Sequence, residues 1–451
     1  MTTEQAPSQP TTSLDEHRSS DEAERGRVRV LTYSTIGFTL FFAVWVMFSI
    51  VGLPLRQELG LSDGQFALLA AIPVLTGSVL RVPLGIWADR FGGRTVFTLL
   101  LIVTAIPTYL ISQATGYTEL LIYAFFVGLA GTSFAVGIAW VSAWYPQEKQ
   151  GFALGMFGAG NVGASITKLA APALITLVAT GGLLGGFVPG GWRFVPFLYS
   201  LLLVAMAAAM WFGAPQHDIK PTEGRKLSDI LRPMGSLRAW RFGLYYVVVF
   251  GAYVALALWL PKYYVDVFDL DVALAGLLTA LFIFPASLLR PLGGWISDKV
   301  GPRRVMYWVF GVMGLASLIL AMPYGHIVLY QPTPDQGSTS VMQFVMTPAL
   351  FTVLVVAIGV AMGIGKAAVY KYIPEYFPED VGGVGGLGGF YLPLLFSWTE
   401  GLLNMPQATF LVLFVFVAVS FLWLHITVYR MLHEASPDLG DRFEHAPSGT
   451  S

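Results

Sequence analysis

From Leu31 onward, apolar runs long enough to cross a bilayer as helices recur along the chain, separated by short polar segments. Twelve can be read, near 31–52, 66–87, 95–113, 119–143, 151–178, 192–213, 240–261, 273–296, 304–323, 347–372, 382–402 and 407–430. The longest polar break between runs of one kind, residues 214–239, leaves six on either side. The pattern predicts an all-α polytopic membrane protein, with a six-helix half over 31–213, a linker over 214–239 and a second six-helix half over 240–430. Residues 1–30 are polar and read as a disordered tail, and residues 431–451 as a second tail. No short apolar stretch with a small-residue cleavage site makes the first tail a signal peptide.

Composition supports this class. Of 451 residues, 55% are hydrophobic and 12% charged, against about 25% charged in an ordinary soluble domain. The net charge of -1 carries no nucleic-acid signature, and without cysteine there is no disulfide framework and no thiolate metal site. His17, His217, His326, His425, His433 and His445 are scattered, and no nucleophile, metal or nucleotide motif accompanies them. No enzyme activity, cofactor, nucleotide or nucleic-acid partner is therefore expected. Basic residues orient the chain: nineteen Lys and Arg fall on the side of the two tails, three on the other (Arg56, Arg193, Lys262), and four (Arg81, Lys168, Arg290, Lys366) within spans. Both termini are thus expected in the cytoplasm, with the chain in the cell's plasma or inner membrane.

One stretch occurs twice, as SVLRVPLGIWADRFGGRTV from Ser78 and SLLRPLGGWISDKVGPRRV from Ser287, with eight identities in nineteen positions at an offset of 209. Each copy places an arginine, Arg81 or Arg290, in an apolar run eight residues before an acidic turn. At 1.5 Å per residue each stands about 12 Å inside a core about 30 Å thick, where a charge costs at least ~2.5–3.5 kcal/mol. Two such charges at matching depths point to one task, holding an anion that the protein carries across the membrane.

The turns that follow share the pattern G-x-x-x-D-[RK]-x-G-x-R, as Gly85, Asp89, Arg90, Gly92, Arg94 and as Gly294, Asp298, Lys299, Gly301, Arg303. This resembles the signature loop of the major facilitator superfamily. Asp89, Arg90 and Arg94, with Asp298, Lys299 and Arg303, would form a cytoplasmic latch that breaks and re-forms as the halves rock. Lys371 is expected to pair with Glu375 at i, i+4. Glycine crowds two spans: Gly151, Gly155, Gly158, Gly160 and Gly163 in the fifth, and Gly382, Gly383, Gly385, Gly386, Gly388 and Gly389 in the eleventh. Small residues let helices approach and slide, which suits gating.

The fifth-span pattern G-x-x-x-G-x-x-G-x-G-N-x-G, the glycine run Gly382–Gly389 and the first-span stretch FAVWVMFSIVG are similar to those of the nitrate/nitrite porter family. The resemblance implies a monomeric carrier in which Arg81 and Arg290 clamp nitrate or nitrite, Asn161 donates to it, and Phe42, Phe134, Tyr246 and Phe250 wall the planar ion. An arginine fork matches a planar oxyanion better than lysine's point charge does. Lys366 and Lys168 depart from the exchanger branch, and GKAAVYKYIPEYFP, residues 365–378, resembles the branch thought to carry nitrate with protons. Arginine keeps its proton at physiological pH, so these lysines are the proton-coupling candidates. Symport with protons, exchange for nitrite, and carriage of another small anion stand as the alternatives, in that order.

Overall fold

The computed structural model describes residues 12–221, 235–270, 272–322, 328–332, 338–343, 345–376 and 407–435. Described residues up to 221 belong to one compact unit and those from 235 onward to another. In the first unit, Thr12–Trp45 and Phe48–Leu59 make span one, Asp63–Val79 and Arg81–Phe91 span two, and Gly93–Gln113 span three. Span four is Tyr117–Val127 and Ser133–Trp144 joined by a 3-10 turn, Gly128–Thr132. Span five is Gln147–Gly158 and Gly163–Leu177 joined by a second 3-10 turn, Ala159–Val162, and Phe194–Gly213 is span six.

In the second unit, Leu237–Tyr246 and Ala252–Phe268 make span seven, joined by a single π turn, Val247–Gly251. Val272–Leu288 and Arg290–Val300 make span eight, Pro302–Ala321 span nine, Pro348–Tyr376 span ten and Ala408–Ala435 span twelve. The expected eleventh span, with Gly382, Gly383, Gly385, Gly386, Gly388 and Gly389, lies outside the described residues. Among the described residues nine helices are long and apolar enough to cross a membrane, ten if the bent pair of span two counts as one. The fifth span is not among them, because its glycines, Asn161 and Lys168 dilute its apolar content. Large apolar side chains face outward, among them Ile106 at 59%, Leu315 at 64% and Phe212 at 86% exposure, as lipid contact requires.

Two departures from the sequence pattern stand out. Residues 12–30, expected as part of a disordered tail, are helical and run without interruption into span one. The stretch LDEHRSSDEAERGRVRV is rich in Glu and Arg, which favour helix, and its end is anchored by tertiary contacts. Arg27 Nε donates to the Trp144 carbonyl at 3.1 Å, the Tyr145 hydroxyl to the Arg27 carbonyl at 3.3 Å, and a side chain at Gly26 would meet the Trp144 ring. The second departure from an all-helical chain is a two-stranded antiparallel hairpin between spans nine and ten, Val328–Pro332 against Ser338–Gln343. At the opposite end from the basic turns, Arg193 and Trp192 both donate to Glu58, each at 2.6 Å.

The duplication is visible in backbone geometry as well as in sequence. Span two breaks at Leu80 (φ −80, ψ −3) and span eight at Leu289 (φ −81, ψ 1). The cause is Pro83 and Pro291, which cannot donate to the carbonyls four residues earlier and crowd them. Span two bends by 42° there, and in both copies the first residue of the new helix is the arginine. The turns that close the two copies also match, with Gly92 at φ 90, ψ 141 and Gly301 at φ 87, ψ 142, a region open essentially to glycine.

These two glycines differ in what surrounds them, which gives a test. A Cβ on Gly301 would meet nothing within 4 Å, whereas one on Gly92 would stand 2.8 Å from the Asp218 carboxylate. Gly301→Ala should cost only backbone strain, about 1–3 kcal/mol, and Gly92→Ala should cost more. Thermal unfolding of the purified protein followed by tryptophan fluorescence checks this; equal drops in Tm would contradict it.

Candidate substrate site

In the first half, restarting the helix at Arg81 turns its side chain into the bundle, where it is 1% exposed. Its Nε and Nη2 donate to the Gly131 carbonyl at 3.2 and 3.1 Å, inside the 3-10 turn of span four. Glycine is required at that crossing, since a Cβ on Gly131 would lie 2.8 Å from the Trp45 indole and 3.1 Å from the Gly77 Cα. Three residues on, Phe134 places its ring centroid 6.0 Å from the guanidinium carbon. Phe134 and Phe42 both pack on Phe38, at 5.3 and 5.7 Å between centroids, so the two expected aromatic walls of this half belong to one cluster.

Asn161 stands in the 3-10 turn of span five and is fully buried. Neither its amide nitrogen nor its oxygen has a hydrogen-bond partner among the described residues. A buried polar group in that condition costs about 1–3 kcal/mol. Gly160 and Gly163 flank it and admit span one: a Cβ at Gly163 would collide with the Thr39 carbonyl, and one at Gly160 would lie 2.6 Å from Phe38. Gly155 and Gly158 are buried in the preceding helix. Lys168 lies on the helix Gly163–Leu177, half-buried, two turns beyond Asn161.

In the second half, Arg290 is 1% exposed and donates from Nη2 to the Tyr246 hydroxyl at 3.4 Å. The π turn begins just after Tyr246 and includes Phe250, and the two rings stack at 4.9 Å and 12°. Phe250 in turn sits 5.9 Å from the Arg290 guanidinium carbon. Lys366 is completely buried, with its ammonium donating to the Ala286 carbonyl at 3.0 Å. That ammonium lies 3.2 Å from the centroid of Tyr253 and 5.7 Å from that of Phe250. Four expected residues, Arg290, Tyr246, Phe250 and Lys366, are therefore brought together within one half. Aromatic faces stabilise desolvated cations, by about 2 kcal/mol or more.

Some of the machinery escaped the sequence pattern. Tyr253, which carries the Lys366 ammonium, bonds Ser287 at 3.0 Å. Its signal was weak: it sits one turn after Phe250, and Ser287 repeats Ser78. At the first signature turn, Asp218 takes the Arg94 backbone N–H at 2.8 Å and the indoles of Trp140 and Trp144 at 2.9 and 3.0 Å. The Arg94 side chain donates to the Gln216 carbonyl and packs on Trp211, and Arg90 lies against Phe91. Asp89 is buried. At the second turn Asp298 pairs with Lys371 at 2.7 Å, across to span eight; the expected partner Glu375 has its side chain outside the described residues. Lys299 packs on Trp295 at 4.0 Å, and Arg303 lines a cavity within the same half.

Bent apolar helices that each bury a cation at the same break are features of a multi-pass membrane protein with polar groups set inside its spans. The family model of the Major Facilitator Superfamily matches residues 33–392. The "Probable nitrate/nitrite antiporter NarK1" of Thermus thermophilus is 59% identical over 431 residues, covering 94% of this chain and 97% of that protein. The "Nitrite extrusion protein" of Bacillus subtilis is 33% identical over 374 residues, covering 81% and 86%. Among solved structures, the major facilitator transporter FucP of E. coli, in its outward conformation, aligns with a TM-score of 0.61 at 15% identity over 87% of this chain and 99% of its own, a likeness of fold. The chain belongs to the nitrate/nitrite porter family of the Major Facilitator Superfamily, multi-pass membrane transporters and not enzymes.

The Asp298–Lys371 pair supplies a test of the second turn. Both side chains are nearly buried, at 11% and 6% exposure, so removing one partner of the pair costs about 3–5 kcal/mol. Asp298→Ala should therefore lower Tm strongly, and adding Lys371→Met should restore most of the loss. Additive losses in the double variant would show that the pair is not coupled.

Proposed function

We propose that this protein carries nitrate, with nitrite as a related substrate, and that Arg81 from one half and Arg290 from the other hold the ion. The observation that carries the reading is the repetition: each half buries one arginine at the same helix break, against a neutral oxygen and an aromatic face. Two forks of this kind bind a planar oxyanion by paired charge-assisted hydrogen bonds. Asn161, whose amide lacks any partner among the described residues, donates a further bond. Phe42, Phe134, Tyr246 and Phe250 exclude water around the ion. The glycines of span five let helices slide during alternating access, with the two acidic turns as the latch on the cytoplasmic side.

Uptake of one nitrate against roughly 150 mV, inside negative, costs about 3.5 kcal/mol and needs a coupled ion. We assign proton symport, with Lys366 as the coupling group. Its fully buried ammonium shares Phe250 with Arg290, so a proton there and an anion on the arginine stabilise one another. The amine exchanges its proton where a guanidinium does not. Nitrate/nitrite exchange is the second reading, favoured by the antiporter name of the Thermus relative. Lys168 is the alternative proton carrier.

Labelled nitrate uptake into proteoliposomes, with a pH gradient, a voltage or internal nitrite imposed one at a time, separates these readings. An inward proton gradient alone should concentrate nitrate through the native protein. Lys366→Met, similar in length and neutral, should abolish that response while keeping exchange of nitrate for internal nitrite. A Lys366→Met protein that still concentrates nitrate from a proton gradient alone would remove Lys366 from the coupling role. A native protein driven only by internal nitrite would make the carrier an exchanger.

A further inference from the structure

Within the second half, at the end that carries the basic turn, a cavity of about 400 Å³ opens among spans seven, nine, ten and twelve. Three of its lining residues are arginines, Arg241, Arg303 and Arg304, and among the described residues no acidic side chain lines it. Arg303 and Arg304 lie in the first turn of the 20-residue helix Pro302–Ala321, whose N-terminal N–H groups favour negative charge. Two buried polar atoms point to a ligand independently. The Tyr245 hydroxyl, on a fully buried residue that lines the cavity, has no hydrogen-bond partner among the described residues, and neither has the buried Nε of Arg241 one turn earlier.

A second, apolar groove of about 700 Å³ lies beside this cavity and shares Val300 and Arg304 with it. Apart from Arg304 its lining is apolar, and it runs along span nine past Trp308 and Val312, which are 78% and 41% exposed. From Arg304 to Val312 a helix rises about 12 Å, close to the depth of one leaflet's hydrocarbon. A cationic pocket continuous with a membrane-facing apolar groove has the shape and charge of one ligand class. We propose that this is a binding site for an anionic phospholipid, whose phosphodiester sits among Arg241, Arg304 and the Tyr245 hydroxyl while an acyl chain lies along Trp308 and Val312. A soluble anion would use the pocket and leave the groove idle; a zwitterionic lipid would use the groove and gain little from three arginines.

Tryptophan quenching of the delipidated full-length protein in detergent by phosphatidylglycerol with brominated acyl chains tests this. Saturable quenching is expected, with Trp308→Phe removing part of its amplitude. Loss of two basic contacts, each worth several-fold in affinity for anionic lipid, means that Arg241→Gln with Arg304→Gln should weaken binding at least tenfold. Tyr245→Phe, which removes a single oxygen, should weaken it measurably even if the double variant does not fold. Brominated phosphatidylcholine should bind at least tenfold more weakly than phosphatidylglycerol. Equal binding of the two lipids, or affinity unchanged in both the arginine and the tyrosine variants, would overturn the proposal. Displacement by inorganic phosphate at concentrations comparable to the lipid would overturn it in favour of a soluble-anion site.

Discussion

A guanidinium in a membrane interior has no water to solvate it, and the bonding of both halves is arranged around that fact. Arg81 and Arg290 are each 1% exposed, and Lys366 is completely buried. Among the contacts that hold them are a glycine carbonyl, a tyrosine hydroxyl, an alanine carbonyl and aromatic faces. Such contacts soften the cost of burying a charge. The helix breaks at Leu80 and Leu289, the 3-10 turn of span four and the π turn of span seven fall beside these groups. Irregular backbone at membrane depth is tolerated where it is enclosed by protein, and here it aims polar groups that regular helix would satisfy internally.

Duplication supplied the frame, and divergence supplied the chemistry. The breaks at Leu80 and Leu289 and the turns at Gly92 and Gly301 agree to within a few degrees. Around the arginines the halves differ: the first offers a phenylalanine cluster and an amide, the second two tyrosines, a phenylalanine and an amine. A carrier built from two like halves must still tell its sides and its cargoes apart, and the single buried lysine beside Arg290 is the largest chemical difference between them.

Much of this was legible in the sequence because membranes impose long apolar periods and make a charged residue inside one conspicuous. Arg81, Arg290 and Lys366 announce themselves that way, and family resemblance added Asn161, Tyr246 and Phe250, which composition alone would leave among core residues. Contacts made through backbone carbonyls left no trace, so Gly131 and Ala286 were invisible as partners. Asp218 lay in a segment read as linker, and its bonds to Trp140, Trp144 and Arg94 depend on tertiary placement. Lys371 also reaches Asp298, a partner distant in sequence that no local spacing could show. The helical residues 12–30 were misread because polarity was weighed above helix propensity.

The central claim is that an anion is held by two arginine forks, and the most direct measurement is equilibrium binding of nitrate to purified Arg81→Lys and Arg290→Lys. Each substitution keeps the charge and removes the bidentate geometry. Because a charge-assisted hydrogen bond contributes about 1.5–3 kcal/mol, each variant should bind nitrate at least tenfold more weakly than the native protein while remaining folded. Native affinity in either folded variant would contradict the two-fork account.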